Sequence, residues 1–96
     1  MPLFIATHKW KKEDFKTVTK KVIEALQQTP EGATNCLSYT KTEMDGAWCV
    51  WEAKSAKLVK DFLTKRVPEM ETEVTPVLQF FPPNPDLYGI LHGLVS

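Results

Sequence analysis

Residues 45–53, Asp45-Gly46-Ala47-Trp48-Cys49-Val50-Trp51-Glu52-Ala53, carry the reading on which the fold turns. Asp-Gly is a tight-turn signal, and residues 47–53 after it read as a strand. Side chains alternate across a strand, so Trp48 and Val50 point one way and Cys49, Trp51 and Ala53 the other. Both sets are apolar. A strand that is apolar on both faces needs cover on both faces.

Working outward, a first strand is expected over residues 3–8. A helix follows over 12–28, with Phe15, Val18, Val22, Ala25 and Leu26 on one stripe. Pro30-Glu31-Gly32 stops it. A more polar second strand covers 35–42, and the third covers 47–53. Ser55 is placed to cap a second helix whose stripe is Leu58, Val59, Phe62 and Leu63 and which Pro68 ends. A fourth strand spans 73–80. Pro76 inside it predicts an edge position or a bulge, because proline offers no N–H to a ladder.

The order is β-α-β-β-α-β, an α+β class in which a ferredoxin-like plan sets four antiparallel strands under two helices on one face, with the first and third strands central. Two amphipathic helices cover one face of such a sheet. The other face would still carry about half of Phe4, Ala6, His8, Cys49, Trp51, Leu78 and Phe80, or their alternates. An apolar patch of that size is unusual on a monomer, so a second copy, the C-terminal tail or a nucleic acid is expected to cover it.

The chain is 96 residues long, enough for one domain with a small core. Twelve basic and twelve acidic side chains give a formal net charge of zero, which argues against general attraction to nucleic acid or to an anionic membrane. No apolar run approaches about 18 residues, and the N-terminus shows no basic-then-apolar leader, so a cytoplasmic protein is expected. RNA-recognition modules share this strand order, but their stacking positions after the glycine fall here on Ala47 and Cys49, and Asp45 replaces their basic lead residue. RNA binding is therefore not expected. The lysines between Lys9 and Lys21 read as a solvated helix face.

If Asp45-Gly46 is a two-residue loop, Thr42 faces Cys49 and Tyr39 faces Glu52. Cys36 then lies six residues from the partner of Cys49, roughly 20 Å at about 3.3 Å per residue. A disulfide needs Cα atoms within about 7 Å, so two free thiols are expected.

Residues 82–96 form a separate Pro-rich extension after a domain of residues 1–81. Leu87, Ile90, Leu91 and Leu94 recur there at helical spacing, which predicts a short apolar helix docked on its own domain or on a partner.

The strand Ala47-Trp48-Cys49-Val50-Trp51-Glu52-Ala53 running into a Ser-led helix, together with Pro68-Glu69-Met70 before Glu73-Val74-Thr75-Pro76-Val77-Leu78, resembles small members of the dimeric α+β barrel superfamily. The resemblance covers roughly residues 2–81. It implies a homodimer in which two sheets face each other and enclose a cavity. Members include cofactor-free monooxygenases, polyketide cyclases, haem-handling proteins, isomerases and simple ligand binders, and no catalytic signature of any of these transfers to this chain.

Candidate ligand-binding residues for an inter-sheet cavity are His8, Tyr39, Trp48, Cys49, Trp51 and Glu52. In an apolar cavity, His8 would be a neutral base near physiological pH. Tyr39 with Glu52 would orient a polar group, and Cys49 is most simply a small buried hydrophobe. No metal-ligand spacing, Gly-rich phosphate loop or nucleophile elbow is present, and no cofactor is expected. The expectation is a homodimer binding a small, partly apolar ligand, with a cofactor-free enzyme of the monooxygenase, cyclase or isomerase type using the same cavity as the alternative. Less favoured readings are a tautomerase using the amine of Pro2 once Met1 is removed, and a purely structural assembly protein. Among the candidate wall residues, Trp51 with Cys49 and Trp48 with Glu52 are alternatives, because composition does not say which face of the strand is which.

Overall fold

Strand β1 (Leu3–Lys9) lies at the middle of the chain's sheet, paired antiparallel with β3 (Gly46–Ala53) on one side and β4 (Glu71–Val77) on the other. Strand β2 (Ala33–Thr40) pairs with the far side of β3, which gives the order β2-β3-β1-β4. Helix α1 (Phe15–Leu26) follows β1 after a 3-10 turn at Lys12–Asp14, α2 (Ala56–Arg66) follows β3, and α3 (Pro85–Val95) follows β4. This is a mixed α+β fold of a four-stranded antiparallel sheet and three helices. The computed structural model describes residues 1–95; Ser96, the last residue of the C-terminal extension, lies outside them.

Alternation decides what enters the core. Phe4, Ala6 and His8 on β1 face the same side as Cys49, Trp51 and Ala53 on β3, because Phe4 pairs with Trp51, Ala6 with Cys49 and His8 with Ala47. All six are buried. Val18 of α1 and Val59 and Leu63 of α2 close over them, with Val67 and Met70 at the end of α2. Trp51 sits edge-on to Phe62, with ring centroids 6.3 Å apart. Ser55 caps α2 as its position predicts, its Oγ accepting from the Leu58 N–H at 3.2 Å. Pro76 is tolerated because β4 is an edge strand.

The β2–β3 connection departs from the sequence expectation. Tyr39 faces Trp48, Thr40 faces Ala47, and the Lys41 N–H bonds the Gly46 carbonyl at 2.8 Å. The turn is therefore made by residues 42–45, with Met44 rather than a glycine at positive φ (63°). Gly46 is not the turn residue: a Cβ there would meet the His8 carbonyl oxygen at 2.9 Å, so glycine is needed for the close approach of β3 to β1. The longer turn shifts the register, and Glu52 faces Thr34 and Leu3 instead of Tyr39. Cys36 consequently lies near the partner of Cys49, which is Ser38, so the distance argument against a disulfide does not hold. Both cysteines are nevertheless free, Cys36 exposed and Cys49 buried.

A bulge between Asn35 and Leu37 adds a second shift. Without it Thr34 and Ser38 would share a face. With it, Thr34, Leu37 and Tyr39 lie on the open face, and Asn35, Ser38 and Thr40 turn toward the helices. Strand β4 stops at Val77, short of the expected residue 80, because Leu3 is its last partner and β1 extends no further. Among the described residues no helix is long and apolar enough to cross a membrane.

Candidate ligand cavity and the opposite sheet face

Helix α2 packs on β1, β3 and β4, whereas α1 is braced chiefly against α2. The space between α1 and the β1–β3–β2 part of the sheet is left unfilled. The result is a partly open cavity of about 170 Å³. Val18, Thr19, Val22, Ile23 and Leu26 form its α1 wall, and His8, Cys49 and Trp51 line its floor, with Ser38, Thr40 and Ala47 beside them. Leu63, Met70 and Trp10 close the ends. Trp10 is fixed by two bonds to the β2–β3 turn: its indole N–H donates to the Met44 carbonyl at 2.9 Å and its backbone N–H to the Asp45 carbonyl at 3.2 Å.

The polar groups of the wall are few. His8 Nδ1 lies 3.1 Å from Thr72 Oγ1 on β4, and His8 Nε2 is buried with no hydrogen-bond partner. Trp51 Nε1 is likewise buried and unpartnered. Burial without a neighbouring anion lowers the His8 pKa from 6.5 to about 4, so the imidazole is neutral at physiological pH. The Ser38 hydroxyl donates to Cys49 Sγ at 3.2 Å. Burial nonetheless raises the Cys49 thiol, with the Ser38 bond acting weakly in the other direction. A protonated thiol and a weakly basic imidazole are poor catalysts of proton abstraction or nucleophilic attack at neutral pH.

The six residues singled out from the sequence divide by face. His8, Cys49 and Trp51 come together in this cavity. Tyr39, Trp48 and Glu52 sit on the opposite face of the sheet, where Tyr39 is 61% and Trp48 45% exposed. The division answers which tryptophan lines the helix-covered side: it is Trp51, with Cys49. Ser38 and Thr40 escaped sequence reasoning, because the bulge that turns them inward leaves no mark in the alternation of β2. Trp10 and the α1 residue Thr19 carried no signal beyond polar or aromatic character next to an apolar stripe. Among the described residues no cluster of three or more His, Cys, Asp or Glu is arranged to hold a metal ion.

A family model described as a domain of unknown function, DUF3303, matches residues 2–80. The chain belongs to that family. The DUF3303 match ends just before the proline-rich extension, so the cavity and the whole sheet lie inside the matched segment. No curated protein matches the chain significantly. Among solved structures, the de novo designed protein Foldit4 is similar at a TM-score of 0.41 and 14% identity, over 80% of this chain and 94% of that one.

Proposed function

We propose that this protein binds a small, partly apolar molecule in the cavity beneath α1, and that it does so as a homodimer of ferredoxin-like subunits joined through their open sheet faces. The observation that carries the binding reading is the cavity itself. An apolar space of about 150 Å³ in a protein core suffices to hold benzene, and this one measures about 170 Å³. Binding is favoured over catalysis by the protonated Cys49 and the weakly basic His8. The β-α-β-β-α-β order with β1 and β3 central supports the ferredoxin-like assignment.

The open face supports the second copy. Leu37, Tyr39 and Trp48 are exposed there beside half-buried Ile5 and Val50. Glu52 and Glu73 lie on the same face, and carboxylates oppose a phosphate backbone. Four strands about 4.8 Å apart and about 23 Å long make a face of roughly 450 Å² in projection. A standard interface takes about 800 Å² per partner. The segment after β4 offers the remainder, since Leu78, Phe81, Ile90, Leu94 and Val95 are exposed.

Titration of the methyl-labelled protein with benzene, followed by NMR, tests the binding reading. The expected result is saturable shifts at Val18, Val22, Ile23, Leu26 and Leu63, with Leu37 and Val50 unmoved. Shifts confined to Leu37 and Val50 would place the site between sheets instead, and no saturable shift would remove the binding reading altogether. Sedimentation at micromolar concentration tests the dimer, and a single species of 10.9 kDa would overturn it.

A further inference from the structure

We infer that the C-terminal arm, residues 78–95, docks in trans: α3 of each copy lays its apolar stripe on the β2 margin of its partner's open sheet face, against Leu37, Tyr39 and Trp48. The inference rests on the homodimer reading above and adds the occupant of that margin. Helix α3 lies beyond residues 2–80, the segment that the family model matches.

Helix α3 is not self-sufficient. Leu87, Ile90, Leu91 and Leu94 recur at three- and four-residue spacing and form one stripe. Eleven residues are marginal for an isolated helix in water, and Gly89 and Gly93 inside it weaken it further. Docking of the stripe has to supply the rest, and its own domain supplies little. Leu87 and Leu91 are half-buried, but Ile90 is 58% and Leu94 75% exposed. A Cβ at Gly89 or Gly93 would meet nothing within 4 Å. Among the described residues α3 makes at most marginal contact with any other element. The chain is correspondingly elongated: its longest dimension is 51 Å, and its radius of gyration is 15.1 Å against about 12.5 Å for a compact chain of this length.

The open face is unevenly apolar. Its β4 margin presents Glu73, Thr75 and Val77. Its β2 margin presents Leu37 and Tyr39, with Trp48 beside them on β3, all three exposed. The arm leaves from the β4 edge, and the apolar margin lies at the opposite edge of the sheet. One chain thus holds an apolar stripe with little beneath it and an apolar margin with little above it. An isologous pair satisfies both at once, because each copy gives one arm and receives one. Reach allows it. Residues 78–84 extend to at most about 23 Å, whereas the outer strands of a four-stranded sheet are about 14 Å apart and stacked sheets about 10 Å apart. Area asks for it. The sheet face alone, roughly 450 Å² in projection, falls short of the about 800 Å² of a standard interface. A donated helix about 16 Å long and about 10 Å across makes up part of that shortfall.

Full-length protein labelled with ¹³C at its methyl groups, mixed with unlabelled full-length protein, tests the exchange by isotope-filtered NMR. Contacts are expected between the Ile90 and Leu94 methyls of one copy and the Tyr39 and Trp48 rings of the other. Contacts confined to one chain, with the dimer intact in sedimentation, would overturn the exchange and leave the dimer standing. Ile90→Asp and Leu94→Asp change exposed side chains, so the domain should fold as before. Each is expected to raise the dimer Kd about tenfold in sedimentation, the effect of losing one buried aliphatic side chain. An unchanged Kd in both variants would overturn the docking. If the wild type itself sediments as a single species of 10.9 kDa, the dimer reading falls and takes this inference with it.

Discussion

Acid should destabilise this fold through His8 before any carboxylate contributes. His8 is 3% exposed, with its ring against Thr72 and the cavity floor, and burial lowers its pKa from 6.5 to about 4. The native state therefore resists a proton that the unfolded chain accepts readily. Stability from this source is intact above about pH 6.5 and is lost progressively as pH falls toward about 4, because protons then bind the unfolded state preferentially. With those two pKa values the loss between pH 7 and pH 5 is about 2 kcal/mol, rising to about 3 kcal/mol at pH 4. The carboxylates of Glu69, hydrogen-bonded by Lys21, and Asp45, hydrogen-bonded by Lys41, are held below their usual pKa. They hold their stabilising contribution above the ordinary carboxylate range and lose it only in more acid solution, so the window from pH 6.5 to 5 belongs to His8.

The assay is urea denaturation at fixed protein concentration, which keeps any dimer contribution constant, at half-unit steps from pH 7 to pH 5. The wild type should lose about 2 kcal/mol, equivalent to roughly 8–16 °C in Tm for a domain of this size. His8→Gln cannot titrate in this range, so its stability should be nearly flat over the same interval, whatever its absolute value. Parallel curves for wild type and variant would refute the reasoning. They would mean that the imidazole is solvated in the native state, and the neutral, apolar cavity floor would have to be abandoned with it.

Leu63→Ala, at a site only 2% exposed in the centre of the α2 packing, should cost about 2–5 kcal/mol in the same urea assay, and less than about 1 kcal/mol would show that α2 does not close the core. Ser55→Ala removes the acceptor for the Leu58 N–H and should cost about 1 kcal/mol, with Ser55→Asp restoring it. A thiol reagent too large for the cavity, applied at pH 8, should label Cys36 much faster than Cys49, since Cys36 is exposed and burial raises the Cys49 thiol; equal rates would contradict the assigned faces of β2 and β3. Trp48→Lys should convert a dimer to a monomer in sedimentation while leaving the urea midpoint of the monomer nearly unchanged, because Trp48 is 45% exposed on the open face.

The element order was readable because each signal was local: the stripes of α1 and α2, the Ser55 cap, Pro68 after α2, and Pro76 on an edge strand. The pairing of elements was less so. Asp45-Gly46 reads as a two-residue turn, yet Gly46 is a strand residue required by the His8 carbonyl, and the positive φ falls on Met44, a residue type with no preference for it. That shift moved Tyr39 from Glu52 to Trp48. The bulge at Cys36 turned Ser38 inward with nothing in the alternation to announce it. The cavity was not legible because it arises from what fails to meet: α1 leans on α2 above the sheet, and the gap depends on the angle of one helix, which no periodicity encodes.

Strand β3 explains its own composition once the faces are assigned. Trp48 and Trp51 are separated by three positions, an odd number, so they cannot share a face. Trp51 with Cys49 and Ala53 is spent on the core and the cavity floor; Trp48 with Val50 lies on the open face, Trp48 largely exposed. The two faces have no side chain in common, and effects at sites without shared partners add. A double variant combining Trp48→Lys with Val22→Trp, which fills the space under α1, should therefore show the monomeric sedimentation of the first and the lost benzene binding of the second, each at full size. Were the ligand instead held between two sheets, Trp48→Lys alone would abolish benzene binding along with the dimer. Independence of the two effects is thus what separates a cavity built by one chain from a cavity built by two.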